Sequence, residues 1–271
     1  MEYRKFGPTD MTVSVLGFGC YDAAGGGYGD QMAAAVHRAV DLGITCFDTA
    51  KGYGDGESEA MLGRALGPRR KDVVVVTKCG THFNQNRPKG RDSRRDSILA
   101  SVDQSLQRLQ TDYIDVLLVH APDVTTPFDE TMGALDSVVQ QGKVRAVGVF
   151  NFTLDQIKEC ERTRRIDVVQ YFYNLFDRRM EQEIFPYFQQ RGIGVMAHAS
   201  MGWGLLAGAY AEDHKFGERD FRGRSEPLGW IYGKDIFPRN VRLVNDLKPI
   251  AESRGKTIPQ LALRWVLSTP Q

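Results

Sequence analysis

The sequence has few cysteines and no long hydrophobic run. Its four cysteines, Cys20, Cys46, Cys79 and Cys160, lie far apart and form no C-x-x-C pair, so neither a disulfide scaffold nor a cysteine zinc site is expected. Four reduced thiols are typical of a cytoplasmic protein. No apolar run approaches the roughly 20 residues that a membrane helix needs, and residues 1–6, MEYRKF, lack the apolar segment of a secretory signal. A membrane or secreted protein is therefore not expected.

Neither sign of charge is in excess, since 35 Lys and Arg stand against 34 Asp and Glu. This balance argues against binding to nucleic acid through a broad basic surface. The His, Asp and Glu residues show no spacing typical of metal ligands, so no metal is expected. The glycine pair Gly17 and Gly19 is followed by Asp22 and not by a third glycine, and residues 25–29 lack a following Lys-Ser/Thr. Both the dinucleotide fingerprint and the phosphate-binding P-loop are therefore excluded.

Short apolar runs alternate with helical patterns along the whole chain. We predict strands over residues 13–19, 44–47, 73–78, 113–120, 144–150, 168–171 and 194–198. We predict helices over residues 30–42, 58–66, 96–109, 127–140, 154–164, 180–190, 241–254 and 259–267, with Ser58 as an N-cap. Residues 3–6, which precede the first strand, are expected to form a hairpin cap. Apolar strands alternating with helices are typical of buried parallel βαβ units.

Seven such units without a break in composition favour an α/β fold, a (β/α)8 TIM barrel formed by one domain over residues 1–271. An open doubly wound sheet of six strands with an extra unit is the alternative. A barrel of this type closes with eight strands, and seven would leave an exposed edge. We therefore expect that the last strand and a C-terminal segment are missing and that the native chain continues beyond Gln271.

Four polar residues lie where predicted strands end, which is where barrel enzymes place their chemistry. Asp48, Lys78 and His120 close strands, and Tyr53 follows in the loop after Asp48. Asp48 and Lys78 lie on adjacent strands, so we expect an ion pair. A nearby ammonium lowers the pKa of a tyrosine, which would prepare Tyr53 as a general acid, with His120 orienting a carbonyl oxygen. Each residue also has a structural interpretation, as a loop anchor, a snorkelling lysine, a packed tyrosine or a core histidine, and the placement leaves both open.

A family resemblance favours the catalytic interpretation. Residues 47–54 read FDTAKGYG and resemble the D-T-A-x-x-Y-G signature of the aldo-keto reductase family. Further matching segments are residues 57–59, 62–66, 76–78, 116–120, 142–145, 151–152, 169–174 and 263–265. The similarity therefore covers nearly the whole chain.

The resemblance implies an NAD(P)H-dependent oxidoreductase that reduces an aldehyde or ketone to an alcohol without a Rossmann domain. By this resemblance Tyr53 is the general acid, Lys78 lowers its pKa, Asp48 is the partner of Lys78, and His120 orients the carbonyl group. The cofactor expected from the family is NADP(H), with NAD(H) also open. The expected partner is a small carbonyl substrate, and neither nucleic acid nor membrane is expected.

The resemblance also assigns binding residues. The cofactor residues are Gly19, Cys20, Asp48, Asn151, Gln170, His198, Ala199, Met201 and Gly202. The substrate residues are Tyr21, His82, Phe83 and Trp203, with Phe221 and Trp230 as further rim candidates in a loop that could act as a lid.

The chain departs from the family pattern at three of the positions around the cofactor. Phe150 replaces a common serine, His198 replaces a tyrosine that stacks on the nicotinamide, and Ala199 lacks a hydroxyl. These changes keep open an alternative function, a nucleotide-binding regulatory or sensor subunit without efficient turnover. A lyase or isomerase that uses Lys78 and Tyr53 is a second alternative.

Overall fold

The computed structural model describes residues 1–22, 27–81, 90–217, 220–223 and 228–269. The chain begins with an antiparallel hairpin of β1 (Tyr3–Lys5) and β2 (Thr12–Ser14), as predicted. The single strand predicted over residues 13–19 is wrong, because β3 (Gly17–Gly19) is separate from β2. Ser14 and Thr45 satisfy each other's backbone N–H groups with their hydroxyls, at 2.8 and 2.9 Å. These side-chain bonds take the place of backbone pairing at this point and separate β2 from β3.

The main sheet has seven strands in chain order. They are β3, β4 (Cys46–Asp48), β5 (Val74–Cys79), β6 (Ile114–Val119), β7 (Val144–Phe150), β8 (Val168–Phe172) and β9 (Gly194–His198). Pairing from β3 to β8 is parallel throughout. A doubly wound sheet would reverse its strand order at a switch point, whereas a (β/α) barrel adds each strand beside the last. The predicted α/β barrel fold is confirmed.

Helices follow most of these strands. They are α1 (Asp30–Asp41), α2 (Glu57–Leu66), α3 (Arg95–Leu109), α4 (Phe128–Gln140), α5 (Leu154–Cys160), α6 (Ile184–Arg191), α7 (Gly229–Tyr232), α8 (Phe237–Asp246), α9 (Lys248–Glu252) and α10 (Ile258–Leu267).

Several helix predictions need correction. The helix predicted over residues 241–254 is two helices, because Pro249 stands in the first turn of α9, where its missing N–H is tolerated. The helices predicted over residues 154–164 and 180–190 are shorter than expected. The N-cap of α2 is Gly56 and not Ser58, whose hydroxyl bonds elsewhere.

The chain divides into two units. The first covers Met1–Tyr171 and Tyr187–Met196, and the second covers Phe172–Pro186 and Ala197–Gln271. In the first unit every residue of β5 and β6 is buried, as expected for parallel strands covered on both faces. The second unit has its own apolar cluster, which includes Leu206, Ile231, Phe237 and Val241. None of the helices in the described ranges is long and apolar enough to cross a bilayer.

Candidate active site

Asp48 and Lys78 form a buried ion pair at the ends of β4 and β5. The parallel register pairs Asp48 with Val76, so Lys78 lies two residues farther along and points to the same face. Lys78 Nζ donates to Asp48 Oδ1 at 2.6 Å, and Lys78 is 1% exposed. The predicted ion pair is confirmed.

The ammonium group of Lys78 has three hydrogen-bond acceptors. Besides Asp48 Oδ1, it donates to the carbonyl oxygen of Thr49 at 2.9 Å and to Tyr53 Oη at 3.4 Å. An ammonium carries three protons, so each proton has one acceptor. Two of these bonds attach the ammonium to the end of β4, and the third directs it at the tyrosine hydroxyl.

Tyr53 begins a short turn, residues 53–56, that leads into α2. Gly54, Asp55 and Gly56 all have positive φ, at 60°, 52° and 93°, which makes the turn tight. The Tyr53 ring packs against Tyr21 and His120, with ring centroids 5.0 and 5.8 Å away. The structure therefore brings together all four residues predicted to be catalytic.

The expectation that contact with Lys78 outweighs burial and leaves Tyr53 with a lowered pKa is not met. Burial, followed by the charge of Asp48, raises the pKa of Tyr53 well above its ordinary value. The carboxylate of Asp48 lies closer to the ammonium than Tyr53 Oη does, so it compensates most of the positive charge. The phenol is consequently protonated at neutral pH and available as a donor.

Gln170 supplies an acceptor beside Asp48. Its Nε2 donates to Asp48 Oδ1 at 3.1 Å, and this bond orients the amide because a carboxylate can only accept. The buried Oε1 of Gln170 has no hydrogen-bond partner among the described residues. An unsatisfied buried polar atom costs about 1–3 kcal/mol. This oxygen suits the NH2 group of a nicotinamide carboxamide, so the residues present fit that cofactor.

The other predicted cofactor residues of the first unit lie beside Asp48 and Gln170. Asn151 N donates to the carbonyl oxygen of Gln170 at 3.0 Å, and Cys20 N donates to that of Asp48 at 2.8 Å. Among the described residues, apart from its two chain neighbours, no atom lies within 4 Å of a Cβ built on Gly19. Tyr21 is 53% exposed and can contact a ligand.

The remaining predicted residues belong to the second unit. His198 ends β9, and Ala199, Gly202 and Trp203 follow it with φ of 51°, 57° and 53°. Met201 lies between them and is half-buried. His82 and Phe83 lie outside the described residues, as does the side chain of Phe221.

Sequence reasoning missed Phe172. Its ring lies 5.2 Å from the His198 ring and 5.0 Å from Trp203, which in turn lies 6.2 Å from Trp230. The signal was present, since Phe172 comes two residues after Gln170 on β8 and strand side chains alternate between faces. The same reasoning gave Ser58 only the role of an N-cap and gave Glu59 none, although both are buried. In the described ranges no three His, Cys, Asp or Glu residues are grouped as a metal site would require.

Comparisons with known proteins concern the family and the fold of the chain. The Aldo/keto reductase family model matches residues 15–271. The chain is 34% identical to the aldo-keto reductase YhdN of Bacillus subtilis (strain 168), covering 100% of this chain and 82% of the relative. It is also 34% identical to a probable voltage-gated potassium channel subunit beta of Oryza sativa subsp. japonica, covering 100% and 84%. The NADH-specific methylglyoxal reductase of Escherichia coli (strain K12) is 33% identical, covering 98% and 86%.

A solved structure shows the same fold. The glycerol dehydrogenase AKR11B4 from Gluconobacter oxydans matches with a TM-score of 0.88 and 32% identity, over 98% of this chain and 82% of that one. Together with the family model and the relatives, this match shows that the chain belongs to the aldo-keto reductase family.

Proposed function

We propose that the protein is an NAD(P)H-dependent oxidoreductase that reduces an aldehyde or ketone to an alcohol, with Tyr53 as the general acid. The observation that supports this function best is the set of three hydrogen bonds from Lys78 Nζ to Asp48, Thr49 and Tyr53. A buried ammonium beside a protonated phenol is suited to stabilise the phenolate that remains after proton donation.

Each residue has a role in this reaction. A bound nicotinamide would supply the hydride to the carbonyl carbon. Gln170 and Asn151 would bind and orient its carboxamide, while Asp48 accepts hydrogen bonds from both Gln170 and Lys78. Tyr53 Oη donates its proton to the substrate oxygen, and Lys78 stabilises the resulting phenolate. His120, whose ring contacts that of Tyr53, orients the carbonyl oxygen.

The cofactor and the substrate are proposed as general types of molecule. NADP(H) is the proposed cofactor on family tendency, although the E. coli relative is named as NADH-specific. We propose a small carbonyl compound as the substrate, contacted in the first unit by the exposed Tyr21. The four cysteines are free thiols, which suits a reducing compartment such as the cytoplasm.

The alternative function that the experiment must distinguish from a reductase is a nucleotide-binding subunit without efficient turnover. The rice relative is named as a probable channel subunit, and Phe150 and His198 depart from the common reductase pattern. The catalytic and the regulatory function both require nucleotide binding, so only turnover distinguishes them.

The test is a titration of NADPH and then NADH, followed by nicotinamide fluorescence, with 4-nitrobenzaldehyde turnover measured on the same sample. We expect binding and turnover in the wild type. Tyr53→Phe should lower kcat by about 10²–10⁴-fold, the range typical of a general acid, while nucleotide affinity changes little.

Tyr3→Phe is the matched control. Tyr3 lies in the N-terminal hairpin of the first unit, is exposed, and donates to the carbonyl oxygen of Gly43. It should keep wild-type kcat. Nucleotide binding without turnover would favour the regulatory subunit, and a fully active Tyr53→Phe would contradict the role of Tyr53.

A further inference from the structure

Two consecutive polar residues of α2, Ser58 and Glu59, are buried with 0% exposure. They stand in the first turn of a helix that begins directly after the Tyr53–Gly56 turn. A carboxylate without solvent is costly unless it is paired and hydrogen-bonded. The hydrogen-bond partners of Ser58 and Glu59 therefore indicate what these two buried side chains hold in place.

Ser58 is bonded to the end of β4. Its hydroxyl donates to the carbonyl oxygen of Cys20 at 2.9 Å and lies 2.8 Å from Thr49 Oγ1. A serine has one hydroxyl proton, so Thr49 is the donor in the second bond. Thr49 is also the residue whose carbonyl oxygen accepts from Lys78 Nζ. Ser58 thus holds one of the three groups that position the ammonium.

Glu59 is bonded to β5. Its Oε1 accepts from Thr77 Oγ1 at 2.5 Å, and its Oε2 accepts from Arg108 at 2.7 Å. Thr77 immediately precedes Lys78, and adjacent side chains of a strand point to opposite faces. Lys78 therefore points toward Asp48 while Thr77 points toward α2. Glu59 therefore fixes Thr77, the residue next to Lys78 on β5.

Arg108 extends the connection to the tyrosine turn. A Cβ built on Gly56 would lie 2.7 Å from Arg108 Cδ, so the side chain of Arg108 packs directly on the backbone of this turn. Gly56 has φ of 93°, which favours glycine. The same arginine therefore contacts Glu59 and the last residue of the turn that begins with Tyr53.

We propose that Ser58 and Glu59 form a clamp that positions Tyr53 against Lys78, an inference that rests on the proposed function of Tyr53. The Lys78–Tyr53 bond, at 3.4 Å, is the longest of the three made by the ammonium. Lysine has a flexible four-carbon stem, and Tyr53 stands on a turn and not on a strand. The clamp connects β4, β5 and the turn through one helical segment. A displacement of 1 Å at a reacting group can cost about 10²-fold in rate.

Thr77→Val tests the clamp, because valine has nearly the same shape and lacks the hydroxyl that donates to Glu59. We expect kcat to fall by about 10–100-fold, with KM for NADPH and for the aldehyde within about twofold of wild type. Thr77→Ser keeps the hydroxyl and should recover most of kcat. Thr131→Val is the matched control, since Thr131 is equally buried and donates to the carbonyl of Ser93. It should lower Tm without lowering kcat.

A second readout needs neither cofactor nor turnover. In protein labelled with 13C at the ζ carbon of tyrosine, Tyr53→Phe identifies the Tyr53 signal by its disappearance. We expect Thr77→Val to shift this signal, and Thr77→Ser and Thr131→Val to leave it in place. If the wild type has no reductase activity, the proposed function fails while the NMR shift still tests the clamp.

The clamp is refuted if Thr77→Val lowers Tm while kcat and the Tyr53 signal stay as in the wild type. Should Thr77→Val not fold, Ser58→Ala tests the other half of the clamp. It removes the hydroxyl that hydrogen-bonds both Thr49 and the carbonyl oxygen of Cys20. We expect Ser58→Ala to shift the Tyr53 signal and lower kcat in the same way. A folded Ser58→Ala variant with neither change would overturn the proposal.

Discussion

At the scale of single residues, one oxygen atom connects the two halves of the proposed site. Asp48 Oδ1 accepts both from Lys78 Nζ and from Gln170 Nε2. In the proposed function, the first bond serves proton donation and the second serves binding of the carboxamide. Removing one partner of a buried ion pair leaves an uncompensated charge, which is strongly destabilising. A change at Gln170 therefore tests cofactor binding more cleanly than a change at Asp48 or Lys78.

Gln170→Glu should weaken NADPH binding. The new carboxylate would stand beside Asp48, and like charges at this distance disfavour each other. We expect Kd to rise about tenfold, equivalent to about 1.4 kcal/mol, as measured by nicotinamide fluorescence. Gln140→Glu is the control, because the exposed Gln140 also donates to a carboxylate, that of Asp136 at 2.6 Å. Equal Kd values for the two variants would contradict the role of Gln170.

At the scale of elements, the close approach of β7 and β8 places Phe150, Asn151 and Gln170 together. Phe150 is the register partner of Gln170, and Gly148 is the partner of Val168. A Cβ built on Gly148 would lie 1.7 Å from the carbonyl oxygen of Val168. This contact is with backbone, so it cannot be relieved by a rotamer change.

Gly148→Ala should therefore destabilise the protein severely. We expect the free energy of unfolding in urea to fall by about 3 kcal/mol, the upper end for an overpacked core. Gly133→Ala is the control, because Gly133 lies within α4 and no atom of the described residues outside the helix backbone lies within 4 Å of the added Cβ. It should gain up to about 1 kcal/mol from helix propensity. A Gly148→Ala variant as stable as Gly133→Ala would show that β7 and β8 are not packed this closely.

At the scale of the whole molecule, buried thiols and phenols are distributed along the chain. Burial raises the pKa of Cys46, Cys79 and Cys160 to about 12. Burial also raises the pKa of Tyr171 in the first unit and of Tyr232 in the second. In each case the folded state favours the neutral, protonated form.

Stability should therefore decline at alkaline pH. The contribution of these groups is complete below their unfolded pKa values, about 8.5 for thiols and about 10 for phenols, and it is lost as pH rises toward the folded values. We expect the urea midpoint to fall steadily from about pH 9 upward. Ellman's reagent at pH 8 should label none of the four cysteines in the folded protein and all four in guanidinium chloride. Rapid labelling of the folded protein would contradict the buried thiols.

Sequence alone determined the alternation of strands and helices and the barrel class, and the family resemblance singled out Asp48, Tyr53, Lys78 and His120. Apolar periodicity and turn-forming residues act over a few neighbouring positions, so they can be interpreted locally. The ion pair followed from adjacent parallel strands, which meet at one edge of the sheet. These features needed no knowledge of what packs against them.

The tertiary structure alone decided three other features. The strand expected over residues 13–19 is divided by the bonds between Ser14 and Thr45, which lie far apart in sequence. Ser58 does not cap its helix, because its hydroxyl reaches Cys20 and Thr49. The pKa of Tyr53 is raised and not lowered, because burial and the carboxylate of Asp48 outweigh the ammonium. Each outcome depends on distances and on access of water, which are set only when remote segments pack together.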